Sequence, residues 1–204
     1  MHIIRRYNAL LESFRGAVVA IGNFDGVHLG HRGVIDGAAE LARTKNVPLA
    51  VLTFEPHPIT VLRPDISPRR LSPFRGKVRR LRECGVEILY MLPFSSDFSK
   101  KTRENFVHEV LVEGLGVHHV VVGHDYRFGK GRAGDAKFLA HAGRVMGFGV
   151  TEVSAIGSAG GLYSSTRVRS YLRRGEPHLA AEILGHMWEV EARVVRGDAR
   201  GREL

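Results

Sequence analysis

Two imidazoles, His28 and His31, stand three residues apart in the run Gly22-Asn23-Phe24-Asp25-Gly26-Val27-His28-Leu29-Gly30-His31. The run follows an apolar segment, residues 17–21, that reads as a buried strand, and it leads into a helical pattern. A strand handing over to a helix presents unpaired backbone N–H groups and the positive end of the helix dipole, both of which attract phosphate. Glycines let the backbone approach a ligand closely. An imidazole there donates hydrogen bonds to phosphate oxygens, or carries positive charge as a transition state gains negative charge. The run is neither a dinucleotide fingerprint nor a Walker loop. Two other readings stand beside phosphate binding: a plain connecting turn, and a metal pair drawn from Asp25, His28 and His31. The metal reading lacks support, because Cys84 is the single cysteine and no second spaced cluster completes a tetrahedral site.

Three further segments carry candidate chemistry. Thr53-Phe54-Glu55-Pro56-His57-Pro58 ends an apolar run and is a proline-stiffened turn, or a wall built from Phe54 and His57. Gly123-His124-Asp125-Tyr126-Arg127-Phe128-Gly129 combines an acid for a ribose or metal, a guanidinium, and aromatics for a flat ring; its plainer reading is a polar loop. Tyr163-Ser164-Ser165-Thr166-Arg167-Val168-Arg169 opens a helix with hydroxyls. Those hydroxyls serve as N-caps, or together with free N–H groups and arginines they grip a polyphosphate.

The elements that must position these segments alternate along the chain. Strands are expected at residues 17–21, 49–54, 86–92, 119–122 and 150–153. Helices are expected at 31–46, 75–84, 102–113 and 135–146, then from Ser164 and over 177–184. The proline-rich stretch 56–73 is expected to be irregular. Alternating short apolar strands and helices imply a parallel sheet covered on both faces. Ligands in such sheets bind beyond the carboxyl ends of the strands, at the switch point. The 22–31, 55–58 and 123–129 segments all fall there.

Composition narrows the function. The chain has 204 residues, 44% of them hydrophobic, enough for one full domain and a little more. No apolar run approaches a membrane span, and the N-terminus lacks a signal-peptide layout. A single cysteine suits a reducing cytoplasm. The net charge of +9 fits either a nucleic-acid binder or a collector of small anions. No aromatic interleaving accompanies the basic run 75–82, which reads as one solvated helix face with Val78 and Leu81 inward. Nucleic acid is therefore disfavoured.

The 22–31 run resembles the His-x-Gly-His signature of the nucleotidyltransferase superfamily. In its longer form it is similar to the adenylyltransferase module of the bacterial bifunctional riboflavin kinase/FMN adenylyltransferase (FAD synthetase) family. The 53–58, 123–129 and 163–169 segments resemble that family's other motifs in the same order, as do Leu71-Ser72-Pro73 with Lys77. Tyr126 stands where the family has phenylalanine, and Tyr163 where it has isoleucine. The resemblance implies a Rossmann-like nucleotidyltransferase fold and transfer of AMP from ATP to FMN, giving FAD and pyrophosphate, with Mg²⁺ on the phosphates and no dedicated protein metal site. It implies catalytic roles for His28 and His31. ATP contacts would come from Gly22, Phe24, Asp25, Gly30, Ser164, Ser165, Thr166 and Arg169. Flavin or nucleotide contacts would come from Phe54, His57, Asp125, Arg127 and Phe128. A transferase with another acceptor and a non-catalytic flavin- or nucleic-acid-binding module are the rival readings.

The tail departs from a complete family pattern. Trp188, Val190, Ala192 and Val194 alternate with Glu189, Glu191 and Arg193, a half-buried strand pattern. It looks like the first strand of the family's kinase barrel, with Arg196-Gly197-Asp198-Ala199-Arg200-Gly201-Arg202 after it. The expectation is a transferase domain over 1–186 and the start of a truncated kinase domain over 187–204, with riboflavin phosphorylation confined to a longer parent chain.

Overall fold

The computed structural model describes residues 1–66, 68–158, 160–193 and 195. Six parallel strands form its sheet: β1 (His2–Ile4), β2 (Val18–Ile21), β3 (Leu49–Glu55), β4 (Ile88–Pro93), β5 (His119–Gly123) and β6 (Gly149–Val153). Their spatial order is β1-β4-β3-β2-β5-β6. From β2 the chain builds outward through β3 to β4, then crosses back to lay β5 on the other side of β2. The switch point therefore lies between β2 and β5, whose carboxyl ends release the 22–31 run and the 123–129 loop.

Alternation along the central strands sorts side chains onto two faces. Val18 and Ala20 of β2, Val51 of β3, Leu89 of β4 and Val121 of β5 face helix α1 (Leu29–Lys45), with its Val34, Ile35, Ala38 and Ala42, and the Leu81 side chain of helix α3 (Phe74–Glu83). Val19, Ile21, Leu52, Tyr90, Val120 and Val122 face the opposite way, toward Phe106, Val107, Val110 and Leu111 and toward helix α6 (Ala136–Met146). A third, smaller core joins helices α7 (Ser165–Arg173) and α8 (Pro177–Leu184) through Val168, Ala180, Ile183 and Leu184, with Leu71 from the proline-rich stretch. That third core stands over the switch point. Among the described residues no helix is long and apolar enough to cross a membrane.

Four expectations need correction. The proline-rich stretch holds a short helix α2 (Pro58–Leu62), because Pro58 occupies its first turn, where a missing N–H costs nothing. The segment expected as one α-helix over 102–113 starts as a turn at Arg103–Asn105 and continues as a π-helix, Phe106–Gly114. The wider winding sends the adjacent pairs Phe106/Val107 and Val110/Leu111 into the core together. Edge strand β1 was not foreseen, since three residues before Arg5-Arg6 give no readable period. Finally, no strand forms over Trp188–Arg193. Residues 187–193 are all exposed, Val190 at 70%, so the alternation marks no buried face. The segment is held instead by the Trp188 indole on the Leu71 carbonyl and by Glu189 and Glu191 on Arg79 and Arg80 of α3. The 196–202 part of the expected barrel strand lies outside the described residues.

Candidate active site

Two helices begin side by side at the switch point. His28 caps α1, its Nδ1 accepting from the His31 backbone N–H at 3.2 Å. Ser164 caps α7, its Oγ accepting from the Arg167 N–H at 3.3 Å. Helix geometry leaves the N–H groups of Leu29 and Gly30, and of Ser165 and Thr166, without a carbonyl in their own helices. The two helix starts adjoin so closely that a Cβ on Gly30 would lie 3.1 Å from the Tyr163 carbonyl and 3.2 Å from the His28 ring. Glycine suits this close approach, and the two helix starts stand side by side with their free N–H groups and positive dipole ends.

The two imidazoles stack, ring centroids 3.6 Å apart at 18°, and Phe24 props His31 from beneath at 5.2 Å. Burial lowers the His28 pKa to about 4, opposed by the nearby charges of Asp25 and Asp125. Burial also holds His31 well below the ordinary value, with His28 and Lys77 pushing the same way. Burial thus favours the neutral form of both rings near pH 7, the form that hydrogen-bonds a phosphate oxygen without standing charge. His28 accepts at Nδ1 and therefore carries its proton on Nε2. The His31 Nδ1 is buried with no hydrogen-bond partner.

Asp25 is placed differently from an ATP ligand. Its carboxylate, 3% exposed as a residue, accepts from the N–H groups of Leu71 (3.1 Å) and Ser72 (3.2 Å) and pairs with Arg169. Its carbonyl accepts from Ser165 Oγ at 2.9 Å. Asp25 therefore welds the 22–31 run to the 71–72 turn and to α7. Arg169 spends part of its guanidinium on this bond and on the Arg69 carbonyl at 2.8 Å. Gly22 gives its N–H to Leu52 in the sheet, and Phe24 is buried, so both shape the loop from behind.

Sequence reasoning noticed Lys77 but gave it no place in the site. It is a buried lysine on α3 whose Nζ donates to the Asn23 carbonyl at 2.8 Å; Thr53 Oγ1 donates to the same oxygen at 3.1 Å. Burial lowers its pKa, against the pull of Asp25 and Glu55. The signal was available: a lysine at an inward position of an otherwise arginine-rich face. His57 caps α2 through Nδ1 and belongs to this polar side, its pKa lowered by burial first and by the neighbouring cations next.

The other half of the site is aromatic. Phe54, Phe94 and Phe98 form a triangle with centroids 5.5–5.7 Å apart, continued by Phe106 to Phe128 and on to Tyr126. Phe54 and Phe128 are thereby joined into one row by rings that the sequence reading left out of the site. Phe128 itself is 7% exposed, a core ring. Asp125 and Arg127 are exposed at the rim.

A parallel sheet whose switch point carries paired helix starts, a His-x-Gly-His turn and an aromatic flank defines an α/β domain of the nucleotidyltransferase type. A family model for FAD synthetase matches residues 11–167, and the chain belongs to that family. It is 40% identical over 205 residues to the bifunctional riboflavin kinase/FMN adenylyltransferase of Escherichia coli K12, covering all of this chain and 66% of that protein. The protein of the same name from Bacillus subtilis is 34% identical over 207 residues, with 64% of it covered. A crystal structure described as a macrolide-efflux protein from Streptococcus pneumoniae superposes with a TM-score of 0.84 at 28% identity, over all of this chain and 66% of that one. The chain spans just under two thirds of the length of these relatives.

Proposed function

We propose that this chain adenylylates FMN. A phosphate oxygen of FMN attacks the α-phosphorus of ATP in line, the bond from that phosphorus to the bridging oxygen breaks, and pyrophosphate leaves with the electron pair. Such transfer needs positioning and charge neutralisation and no covalent enzyme intermediate. The observation that carries the reading is the buried, unpartnered Nδ1 of His31 beside two converging helix starts. A site with donors in excess and one orphaned ring nitrogen suits a polyphosphate better than water.

In this reading His28 and His31 hydrogen-bond the reacting phosphate. The N–H groups at Gly30, Ser165 and Thr166, the Ser164 and Thr166 hydroxyls and the remaining guanidinium edge of Arg169 hold the other phosphates. Gly22, Phe24, Asp25 and Lys77 fix the loop. The row from Phe54 to Phe128 lies beside the flat flavin, with His57 and Arg127 near its phosphate end. Mg²⁺ bound with ATP would supply charge neutralisation on the phosphates. Asp25 is saturated by its partners, so the ion would be held by the phosphates with few direct protein ligands. We assign the transfer to residues 1–186 and a reducing cytoplasm as its setting, and leave riboflavin phosphorylation outside these residues.

The test is purified chain with ATP, Mg²⁺ and FMN, with flavins resolved by chromatography and pyrophosphate assayed in parallel. FAD and pyrophosphate in equal amounts are expected. ATP binding without FAD would sink the flavin reading and point to another acceptor.

A further inference from the structure

Past α8 the segment 185–191 crosses the back of the site and is tied to it. Two of its three polar ring contacts fall on peptide units of the site itself. The Trp188 indole N–H donates to the Leu71 carbonyl at 3.1 Å. That carbonyl shares a rigid peptide plane with the Ser72 N–H, which donates to Asp25 Oδ1 at 3.2 Å. The His186 ring places Nε2 3.1 Å from the Gly26 carbonyl and Nδ1 2.8 Å from the Met187 carbonyl. The Gly26 carbonyl shares its plane with the Val27 N–H, which closes the turn onto the Phe24 carbonyl at 3.4 Å. Outside these two grips, Glu189 pairs with Arg79 and Arg80, and Glu191 with Arg79 at 2.7 Å, fastening the strap to α3.

The gripped peptides have little freedom to be held from anywhere else. Gly26 sits at φ +83°, and a Cβ there would meet Leu71 Cδ1 at 3.0 Å and Leu184 Cδ2 at 3.1 Å, so loop, 71–72 turn and α8 are already in contact. Trp188 supplies the outer hydrogen-bond donor for the 71–72 plane, and His186 supplies one for the 26–27 plane when its Nε2 carries a proton. Trp188, the 71–72 peptide, Asp25 and Arg169 form one continuous chain from the strap to the site. Hydrogen bonds in such a chain polarise one another.

The geometry points to Trp188 and His186 as positioning residues for adenylyl transfer: the strap orients the 71–72 and 26–27 peptides, and through them Asp25, Arg169 and the approach to His28. This inference rests on the proposed reaction only for its kinetic readout. Trp188 is the sole tryptophan of the chain, so its emission reports the strap directly.

The experiment compares the native chain with Trp188→Phe, which keeps an aromatic ring and removes the N–H, and with Glu189→Gln/Glu191→Gln, which loosens the strap without touching either peptide. The KM values for ATP and FMN, the thermal midpoint, and Trp188 emission on adding ATP with Mg²⁺ are measured. Trp188→Phe should raise the KM for ATP roughly three- to tenfold, the size of one hydrogen bond, with the KM for FMN unchanged. The double variant should move the same way by less, and ATP alone should shift native Trp188 emission. Equal changes in both KM values would make the strap a general stabiliser and overturn the proposal. So would an unchanged KM for ATP together with emission blind to ATP. A native chain that makes no FAD, yet whose emission responds to ATP, would remove the flavin reading and leave the coupling standing.

Discussion

Within one loop of ten residues, Asp25 and His31 reach opposite ends of hydrogen-bond satisfaction. The Asp25 carboxylate accepts from two backbone N–H groups and pairs with Arg169, while the His31 Nδ1 is buried and unpartnered. Both residues sit in the same motif, and both were expected to touch ATP. The difference separates their work: a saturated buried ion holds the loop's shape, whereas an orphaned donor or acceptor has capacity left for a ligand. Asp25→Ala should therefore act on stability, stranding the buried Leu71 and Ser72 N–H groups and taking a partner from the half-buried Arg169, at a cost of about 3–5 kcal/mol. Chemical denaturation of the ligand-free chain measures it. A variant of native stability that merely loses turnover would break the comparison.

The complementary substitution sharpens it. His31→Ala removes a neutral ring that in this reading meets the phosphate only when substrate is bound. FAD formation should fall by roughly 10²–10³, as when one preorganised donor to a developing charge is lost. The thermal midpoint should change far less than in Asp25→Ala. A His31→Ala chain with near-native turnover would remove His31 from the chemistry and leave the loop's architecture as its whole function.

Acid tests the same contrast without mutation. His28 has its folded pKa depressed to about 4 by burial, against 6.5 when free. The unfolded chain binds the extra proton first, so stability rises with pH across this interval. The contribution is fully present above pH 6.5 and is lost as pH falls from there toward 4, on the order of 3 kcal/mol from His28 alone. His31, shifted in the same direction, adds to the loss. Unfolding midpoints measured across this range should drop in the native chain and flatten in His28→Ala. An equally steep drop in that variant would assign the acid sensitivity elsewhere.

The sheet was legible because buried parallel strands read as uninterrupted apolar runs, and residues 17–21, 49–54 and 119–122 each produced one. The convergence of the 22–31 and 123–129 segments followed from strand order alone. What stayed hidden depends on partners far away in sequence. Asp25 looks like any acidic loop residue until the 71–72 turn and Arg169, 144 positions on, fold against it. The 94–98 segment and the helix around Phe106 fall in the resembled family's order, but that they join Phe54 and Phe128 in one row shows only in the fold. The tail misled for a related reason: its alternation predicts a buried face, yet residues 187–193 are exposed and are held by distant partners, Leu71, Arg79 and Arg80.

Tyr126 sets the limit of reading an orphaned group as a waiting ligand contact. Its hydroxyl is buried without a partner, as the His31 nitrogen is, and burial pushes its pKa up. Its ring lies nearly parallel to Phe128, 5.6 Å away at 17°, inside the aromatic row. On the proposed reading the flavin lies along this row without using the hydroxyl. Tyr126→Phe should therefore stabilise the ligand-free chain by about 1 kcal/mol, the relief of one unsatisfied buried hydroxyl. The KM for FMN should stay within twofold, about the scatter expected for a group that makes no ligand hydrogen bond. A weakened KM for FMN with no gain in stability would show the opposite: that this hydroxyl, like His31, is completed by substrate, and that Tyr126 adds a flavin contact the phenylalanine lacks.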